Sequence, residues 1–352
     1  MGYTDRSEIF DGHSDTVQYL AEYRDGGRDF LARSNGGHLD LPRAREGGLI
    51  GGLFALFAKP EREPVDDLIH TADGYEVRLA DALDPRLARQ QVDAQLSALR
   101  RLADRSAGQV RLAASLSDLE AARRDGAFSI VLHMEGAEAI GPDLDGLDRL
   151  HAAGLRSLGL VWSRPNIFDH GVPFAHPRSP DTGLGLSPAG KQLVKACNRL
   201  GFMINISHLN ERGFWDVAAL SSAPLVATHC CAHSICRSTR NLTDSQLDAI
   251  RDSDGVVGFN LSVNDVRSDA NLDANTPLDV VVCHIAYLVD RLGEERVALG
   301  SDFDGAVIPR PIGDASGLPR LLSALRSHGF GDAMVRKFAL ENWLRVFRLT
   351  WH

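Results

Sequence analysis

The sequence predicts a single-domain (β/α)8 TIM barrel spanning residues 1–352, and three observations carry that prediction. Eight short apolar segments alternate with helix-patterned segments between Ile9 and Asp302, the order expected of parallel strands joined by crossover helices. No Gly-x-Gly-x-x-Gly turn follows an early strand, which argues against a doubly wound open sheet. The side chains able to do chemistry fall at the carboxyl ends of the first, third, fifth, sixth and eighth strands. A barrel gathers those ends on one rim, whereas an open sheet spreads them along an edge.

The first strand, beginning Ile9-Phe10, runs into Asp11-Gly12-His13-Ser14-Asp15. In an extended chain, period-two geometry turns His13 and Asp15 to the same face, where both can reach one cation. A hydrogen-bonded surface pair is the ordinary alternative for a His-x-Asp taken alone. A Gly-rich stretch through 28–37 separates this strand from the second, Leu49 to Phe54; loops this long usually cover or serve a site. Leu87, Val92, Leu96 and Leu99 recur at helical intervals from Pro85 to Leu102, and Ser117 to Arg124 reads as a short helix capped by Ser115 or Ser117. The third strand, Phe128 to Met134, ends in Glu135-Gly136. Helix and strand then alternate. Leu144 to Ala153 precedes Leu158 to Trp162, Pro188 to Leu200 precedes Phe202 to His208, and Glu211 to Leu220 precedes Pro224 to His229. Thr243 to Arg251 precedes Gly255 to Leu261, and Leu278 to Leu292 precedes Arg296 to Asp302.

Composition narrows the function classes. A formal charge of −9 disfavours a nucleic-acid or anionic-membrane partner, so a small substrate is expected, with a homodimer left open. The first residues lack the apolar core of a signal peptide, and no apolar run spans a bilayer. Arg6 stands where a myristoylation signal wants Ser or Thr, and no hydrophobic lipid-anchor tail closes the chain. The expectation is a soluble, cytoplasmic protein. Five cysteines with no Cys-x-x-Cys pair read as reduced thiols. Cys230 and Cys231 follow His229, but strand alternation lets at most one of them face with it as a soft ligand.

The candidate ligands are His13, Asp15, Glu135, His208 and His229, whose imidazoles and carboxylates suit a divalent ion such as zinc. Each histidine alone reads more simply as a hydrogen-bonded rim or core residue; their joint placement at four strand ends favours a metal site. Three ligands suffice for one catalytic ion. Five, with a Glu free to bridge, suggest two ions sharing a water or hydroxide. Asp302 ends the last strand, where a carboxylate can hold the attacking water and carry its proton to the leaving group. Asp304 also reads as a turn or capping residue. Arg240, in the loop beyond His229, can pair bidentately with a substrate carboxylate, against the alternative of a surface ion pair.

These residues lie in motifs that resemble the membrane (renal) dipeptidase family, peptidase family M19, within the amidohydrolase-like metal barrels. Asp11-Gly12-His13-Ser14-Asp15 is similar to the family's Asp-Gly-His-Asn-Asp opening. The likeness continues through Leu41-Pro42-Arg43, Glu46-Gly47-Gly48, Glu135-Gly136, Ile206-Ser207-His208, Arg240-Asn241-Leu242-Thr243, Gly255-Val256-Val257-Gly258, Asp302-Phe303-Asp304-Gly305 and Glu341-Asn342-Trp343. The resemblance implies two zinc ions per chain, with His13 and Asp15 on one, His208 and His229 on the other, and Glu135 bridging. It implies Asp302 as the proton-handling residue and Arg240 as the clamp on a dipeptide's free carboxylate, with a D-residue tolerated on the C-terminal side. The sequence departs from the pattern at Trp162, where the renal enzyme has a histidine assisting the scissile carbonyl, and at Cys230, where it has Ser. Trp162 either donates its indole N–H to the carbonyl or walls the pocket; if it only walls the pocket, the zinc pair or another group, such as nearby His170 or His233, carries the oxyanion. The expected activity is hydrolysis of dipeptides. The alternatives are another small amide, such as an N-acyl amino acid, and a metal-binding protein without hydrolytic activity.

Overall fold

The computed structural model describes residues 7–59 and 68–351. Its strands are β1 (Ile9–Ser14), β2 (Leu49–Phe57), β3 (Leu68–His70), β4 (Tyr75–Val77), β5 (Val110–Leu112), β6 (Phe128–Glu135), β7 (Leu155–Gly159), β8 (Ala175–His176), β9 (Met203–Asn205), β10 (Val226–Cys230), β11 (Val256–Phe259) and β12 (Val297–Leu299). Eight of them follow one parallel path, β1-β2-β6-β7-β9-β10-β11-β12, with β5 added beside β6. The ring closes between its last and first strands through a parallel bridge from Ser14 to Phe303. Asp11 ties the same seam, its carboxylate accepting from the Ser301 amide at 2.7 Å and the Ser301 hydroxyl at 2.5 Å. The expected eight-stranded α/β barrel is therefore the fold.

Crossover helices lie where the apolar spacing puts them, with local chemistry setting their ends. Ser187 caps Pro188–Leu200, with Pro at the first turn and left-handed Gly201 after the last. Of the two serines considered, Ser115 is the cap, and its helix runs Leu116–Arg124. A capping box of Thr243 and Gln246 starts Asp244–Asp252.

Several strands differ from expectation in a consistent way. The segments expected at Leu158 to Trp162, Phe202 to His208 and Arg296 to Asp302 are strands only over Leu155–Gly159, Met203–Asn205 and Val297–Leu299. Their downstream residues leave the ladder; His208, Asp302 and Asp304 have φ of 69°, 60° and 69°. Such left-handed backbone is uncommon for non-glycine residues and tends to mark functional sites. A second sheet went unforeseen: β3, β4 and β8 pair antiparallel.

Inside the barrel, Phe10, Leu53, Val131, Met203, Val226, Val256 and Ala298 cluster with Trp343 and Phe347 of the C-terminal helix Asn342–Thr350. Trp343 donates its indole N–H to the Leu299 carbonyl at 2.9 Å. Its ring lies where a Cβ at Gly12 would stand 2.2 Å away, so Gly12, one residue before His13, must stay bare. No helix among the described residues is long and apolar enough to cross a membrane.

Removing the Asp11 carboxylate should strand two buried donors of Ser301 at the closing seam. Asp11→Ala is expected to cost about 2–3 kcal/mol, read as a lower urea midpoint at unchanged slope; an unmoved midpoint would show that the seam does not depend on this contact.

Candidate metal centre

Glu135 is the last residue of β6, and its Oε1 stands 3.6 Å from His13 Nε2, 3.1 Å from His208 Nε2 and 3.5 Å from His229 Nε2. One oxygen thus faces three imidazoles that come from three other strand ends. Asp15 Oδ2 completes the near side, 3.6 Å from His13 Nε2. Extended alternation does not produce this last approach. Asp15 lies beyond β1, at φ −94° and ψ 14°, and is turned inward with its amide held by the Phe303 carbonyl at 2.9 Å.

The orientation of two imidazoles is fixed from behind. The Ser163 hydroxyl lies 2.9 Å from His208 Nδ1, and the Thr228 hydroxyl 2.9 Å from His229 Nδ1. Both Nε2 atoms are thereby left to the site, 3.1 Å apart, in the arrangement by which outer hydroxyls aim ligand histidines. The side-chain Oδ1 of Asn205 accepts from the amides of Ser207 and Thr228, joining the two strand ends beneath them.

The electrostatics call for a cation. Burial pushes His208 and His229 well below the ordinary histidine range, and Arg240 and His13 reinforce this, so both present neutral lone pairs. Burial would also lower His13, but Glu135, Asp15 and Asp302 outweigh it and hold a proton there. Burial and the neighbouring carboxylate of Asp15 push Glu135 and Asp302 upward, partly offset by His13. Both ring nitrogens of His13 and Oε1 of Glu135 are buried with no hydrogen-bond partner. Buried polar atoms left unpaired are costly, and imidazole nitrogens and carboxylate oxygens converging on one point fit a borderline divalent ion. Among the described residues, two sets of atoms lie within mutual ligand distance, His13 with Glu135 and His229, and His13 with Asp15 and Asp302.

Asp302 follows β12. Its amide donates to the His13 carbonyl at 3.1 Å, and its Oδ2 accepts from Asn260 Nδ2 at 3.1 Å. Asn260, one residue past β11, was missed in the sequence, although its strand-end position was the available signal. Asp304 is a structural anchor: its carboxylate accepts from Thr16 Oγ1, Arg28 Nη2 and the His38 amide at 2.6–2.8 Å.

Arg240 is not a surface residue. It is 5% exposed, and its guanidinium donates to the His229 carbonyl at 3.3 Å and Cys230 Sγ at 3.7 Å. Trp162 lies past β7, its ring centroid 5.2 Å from Phe57, 5.6 Å from Phe174 and 5.9 Å from His208. Behind it sits the buried Arg164 guanidinium, paired with Glu138 at 3.1 Å. A cavity of about 680 Å³ opens over the centre, lined by Asp15, Glu135, Trp162, His208, His229, Arg240 and Asp302 among others. His170 and His233 are not among its lining residues. Cys230 and Cys231 belong to neither ligand set, and all five cysteines are free.

Residues 3–351 match the sequence profile of the membrane dipeptidases, peptidase family M19. The chain belongs to this family. It is thus a metal-dependent peptide-bond hydrolase, a dipeptidase, as the sequence motifs implied. A metallo peptidase from Rhodobacter sphaeroides, solved with a phosphinate mimic of the dipeptide L-Ala-D-Ala, is 43% identical with a TM-score of 0.92, over 99% of this chain and 100% of that one. A Klebsiella pneumoniae protein described only by its place in the pqqA 5′ region is 47% identical over 257 residues, 73% of this chain and 95% of that protein. The dipeptidase verJ of Clonostachys rogersoniana is 28% identical over 343 residues, 96% of this chain and 83% of that protein.

Glu135→Gln removes the charge placed between the imidazoles. Elemental analysis of this M19 variant should find bound metal reduced by more than half, because that oxygen lies within 3.1–3.6 Å of His13, His208 and His229 alike. Full metal content in the variant would show that Glu135 is not a shared ligand.

Proposed function

We propose that residues 1–352 form one domain and act as a binuclear zinc dipeptidase, with His13 and Asp15 holding one ion, His208 and His229 the other, and Glu135 bridging. The observation that carries this is the position of Glu135 Oε1 within 3.1–3.6 Å of imidazoles from both groups. Zinc bound there would supply Lewis acidity, activating a water and polarising the scissile carbonyl. The free state of all five cysteines supports a reducing, cytoplasmic setting.

The chain's own side chains do the rest. Arg240, recessed beside His229, pairs with the substrate's terminal carboxylate and so fixes the peptide bond over Glu135 and Asp302. Asp302, held by Asn260, takes the proton of the attacking water and delivers it to the leaving amine. Trp162 packs into a wall with Phe57 and Phe174, so it shapes the cavity and keeps water from the reacting bond. The L-Ala-D-Ala mimic bound by the Rhodobacter sphaeroides relative supports dipeptides, including those ending in a D-residue, as the substrates of this chain.

A panel comparing free-amine dipeptides with their N-acylated forms tests this reading; faster cleavage of the acylated forms would move it to N-acyl amino acids. Arg240→Ala should weaken free-carboxylate dipeptides by ~1.5–3 kcal/mol, roughly ten- to a hundredfold in kcat/KM, and amidated ones little. Equal losses on both would remove the clamp. Asp302→Asn should depress kcat by about a hundredfold or more while elemental analysis finds near-normal metal. If turnover survives, another group carries the proton.

A further inference from the structure

Arg240 sits on the loop between β10 and the helix Asp244–Asp252, and its own contacts do little to aim it. The guanidinium reaches the His229 carbonyl at 3.3 Å, beyond the usual N–H···O range, and Cys230 Sγ, a weak acceptor, at 3.7 Å. Its place at the cavity is therefore set by how the backbone around it is held.

That backbone is gripped from two flanks. On one, Thr239 donates its amide to the Ala175 carbonyl of β8 at 3.0 Å, and its hydroxyl accepts from the Ala175 amide at 3.0 Å. On the other stands the short helix Val263–Val266. Ser238 Oγ accepts from the Arg240 amide at 3.2 Å and donates to Asp265 Oδ1 at 2.7 Å. Asn241 Nδ2 donates to the Asp265 carbonyl at 2.8 Å and to the Cys236 carbonyl at 3.0 Å, and Cys236 Sγ donates to the Asn264 carbonyl at 3.3 Å. The helix is in turn fixed to the end of β10. Buried His284 accepts from the Ala232 amide at 2.8 Å, and its other ring nitrogen lies 3.1 Å from the Val266 carbonyl. Contacts thus run from the strand that carries His229, through His284 and the helix, to Asp265, Ser238 and the amide of Arg240.

Asp265 is buried and lines the same cavity as Arg240. Burial raises its carboxyl above the ordinary carboxylate range, and Arg240 draws it part of the way back. A carboxylate beside the group that takes a substrate carboxylate repels that substrate, so its presence there calls for a compensating role.

We propose that Asp265 is a positioning residue for Arg240, acting through Ser238 to hold the guanidinium where the substrate carboxylate meets it. This rests on the reading of Arg240 as the carboxylate clamp.

The test is kcat and KM of the metal-loaded enzyme on Ala-Ala and on Ala-Ala amide, for Asp265→Ala, Asp265→Asn and Ser238→Ala, each alone and combined with Arg240→Ala. In Asp265→Ala and Ser238→Ala, KM for Ala-Ala should rise roughly tenfold while kcat and the amide change little, because only a carboxylate contact is displaced. Asp265→Asn keeps an oxygen for Ser238 and sheds the repelling charge, so its preference for Ala-Ala over the amide should equal or exceed that of the wild type. With Arg240→Ala already present, neither Asp265→Ala nor Ser238→Ala should cost more, since both act through the guanidinium. A KM unmoved by Ser238→Ala, equal losses on both substrates, losses that add to those of Arg240→Ala, or a loss in Asp265→Asn as large as in Asp265→Ala each overturn the inference and leave the clamp standing. Ser238→Ala removes a single hydroxyl and decides the matter if Asp265→Ala does not fold. An Arg240→Ala enzyme that keeps the wild-type preference for Ala-Ala over its amide overturns the clamp, and this inference with it.

Discussion

Three carboxylates, Asp15, Glu135 and Asp302, share one recess with His13 at its base, and the rest of the site is arranged around their repulsion. Removed from bulk water, like charges cannot all stay ionised unless positive charge is supplied. Arg240 supplies some, yet its guanidinium donates toward His229 and Cys230 at the edge of the cavity. The proton held on His13 is a local substitute. His208 and His229 cannot help in that way, because burial keeps them neutral. A site with surplus negative charge, neutral imidazole lone pairs and unpaired buried atoms carries an unfavourable energy that a bound divalent cation would relieve.

Holding such a cluster together falls to the barrel closure. Asp11 reaches Ser301 across the seam, Asp302 donates its amide to the His13 carbonyl, and the Asp15 amide donates to the Phe303 carbonyl. Three contacts made by residues 11–15 thus fix the distance between the first and last carboxylates of the site. Asp304 adds a fourth anchor by gathering Thr16, Arg28 and His38 onto the same turn. The left-handed backbone at Asp302 and Asp304 is affordable here because so many bonds determine it.

Alternating apolar segments made the barrel legible, because strand and helix periodicities are local signals. The candidate ligands were legible for a related reason: His13, Glu135 and His229 lie at the ends of apolar strands and His208 just beyond one, where barrels place their sites. Less visible was the way the chain leaves its strands. Period two puts Asp15 beside His13, but the observed approach is made by a turn, and His208 comes from a left-handed residue three positions past β9. Those conformations are set by partners distant in sequence, Phe303 for Asp15 and Ser163 for the His208 ring. For the same reason the β3–β4–β8 sheet left no mark that a one-dimensional pattern could reveal. Trp162 was ambiguous between donor and wall, and only Phe57, Phe174 and Arg164, from other parts of the chain, give its ring a packed setting.

On the proposed assignment, the depth of Arg240 also bears on why the substrate is short. A guanidinium only 5% exposed, which donates to a thiol and one backbone carbonyl, keeps donors that a carboxylate can satisfy bidentately and a peptide amide cannot. Tyr75, Asn264 and Asp265 line the same cavity as Arg240, so a carboxylate that reaches the guanidinium does so among side chains and not at the open surface. A chain continuing beyond the second residue would place a neutral amide against the buried cation and its remaining length against β4. Discrimination by length then follows from burying the recognised charge, with no separate barrier needed.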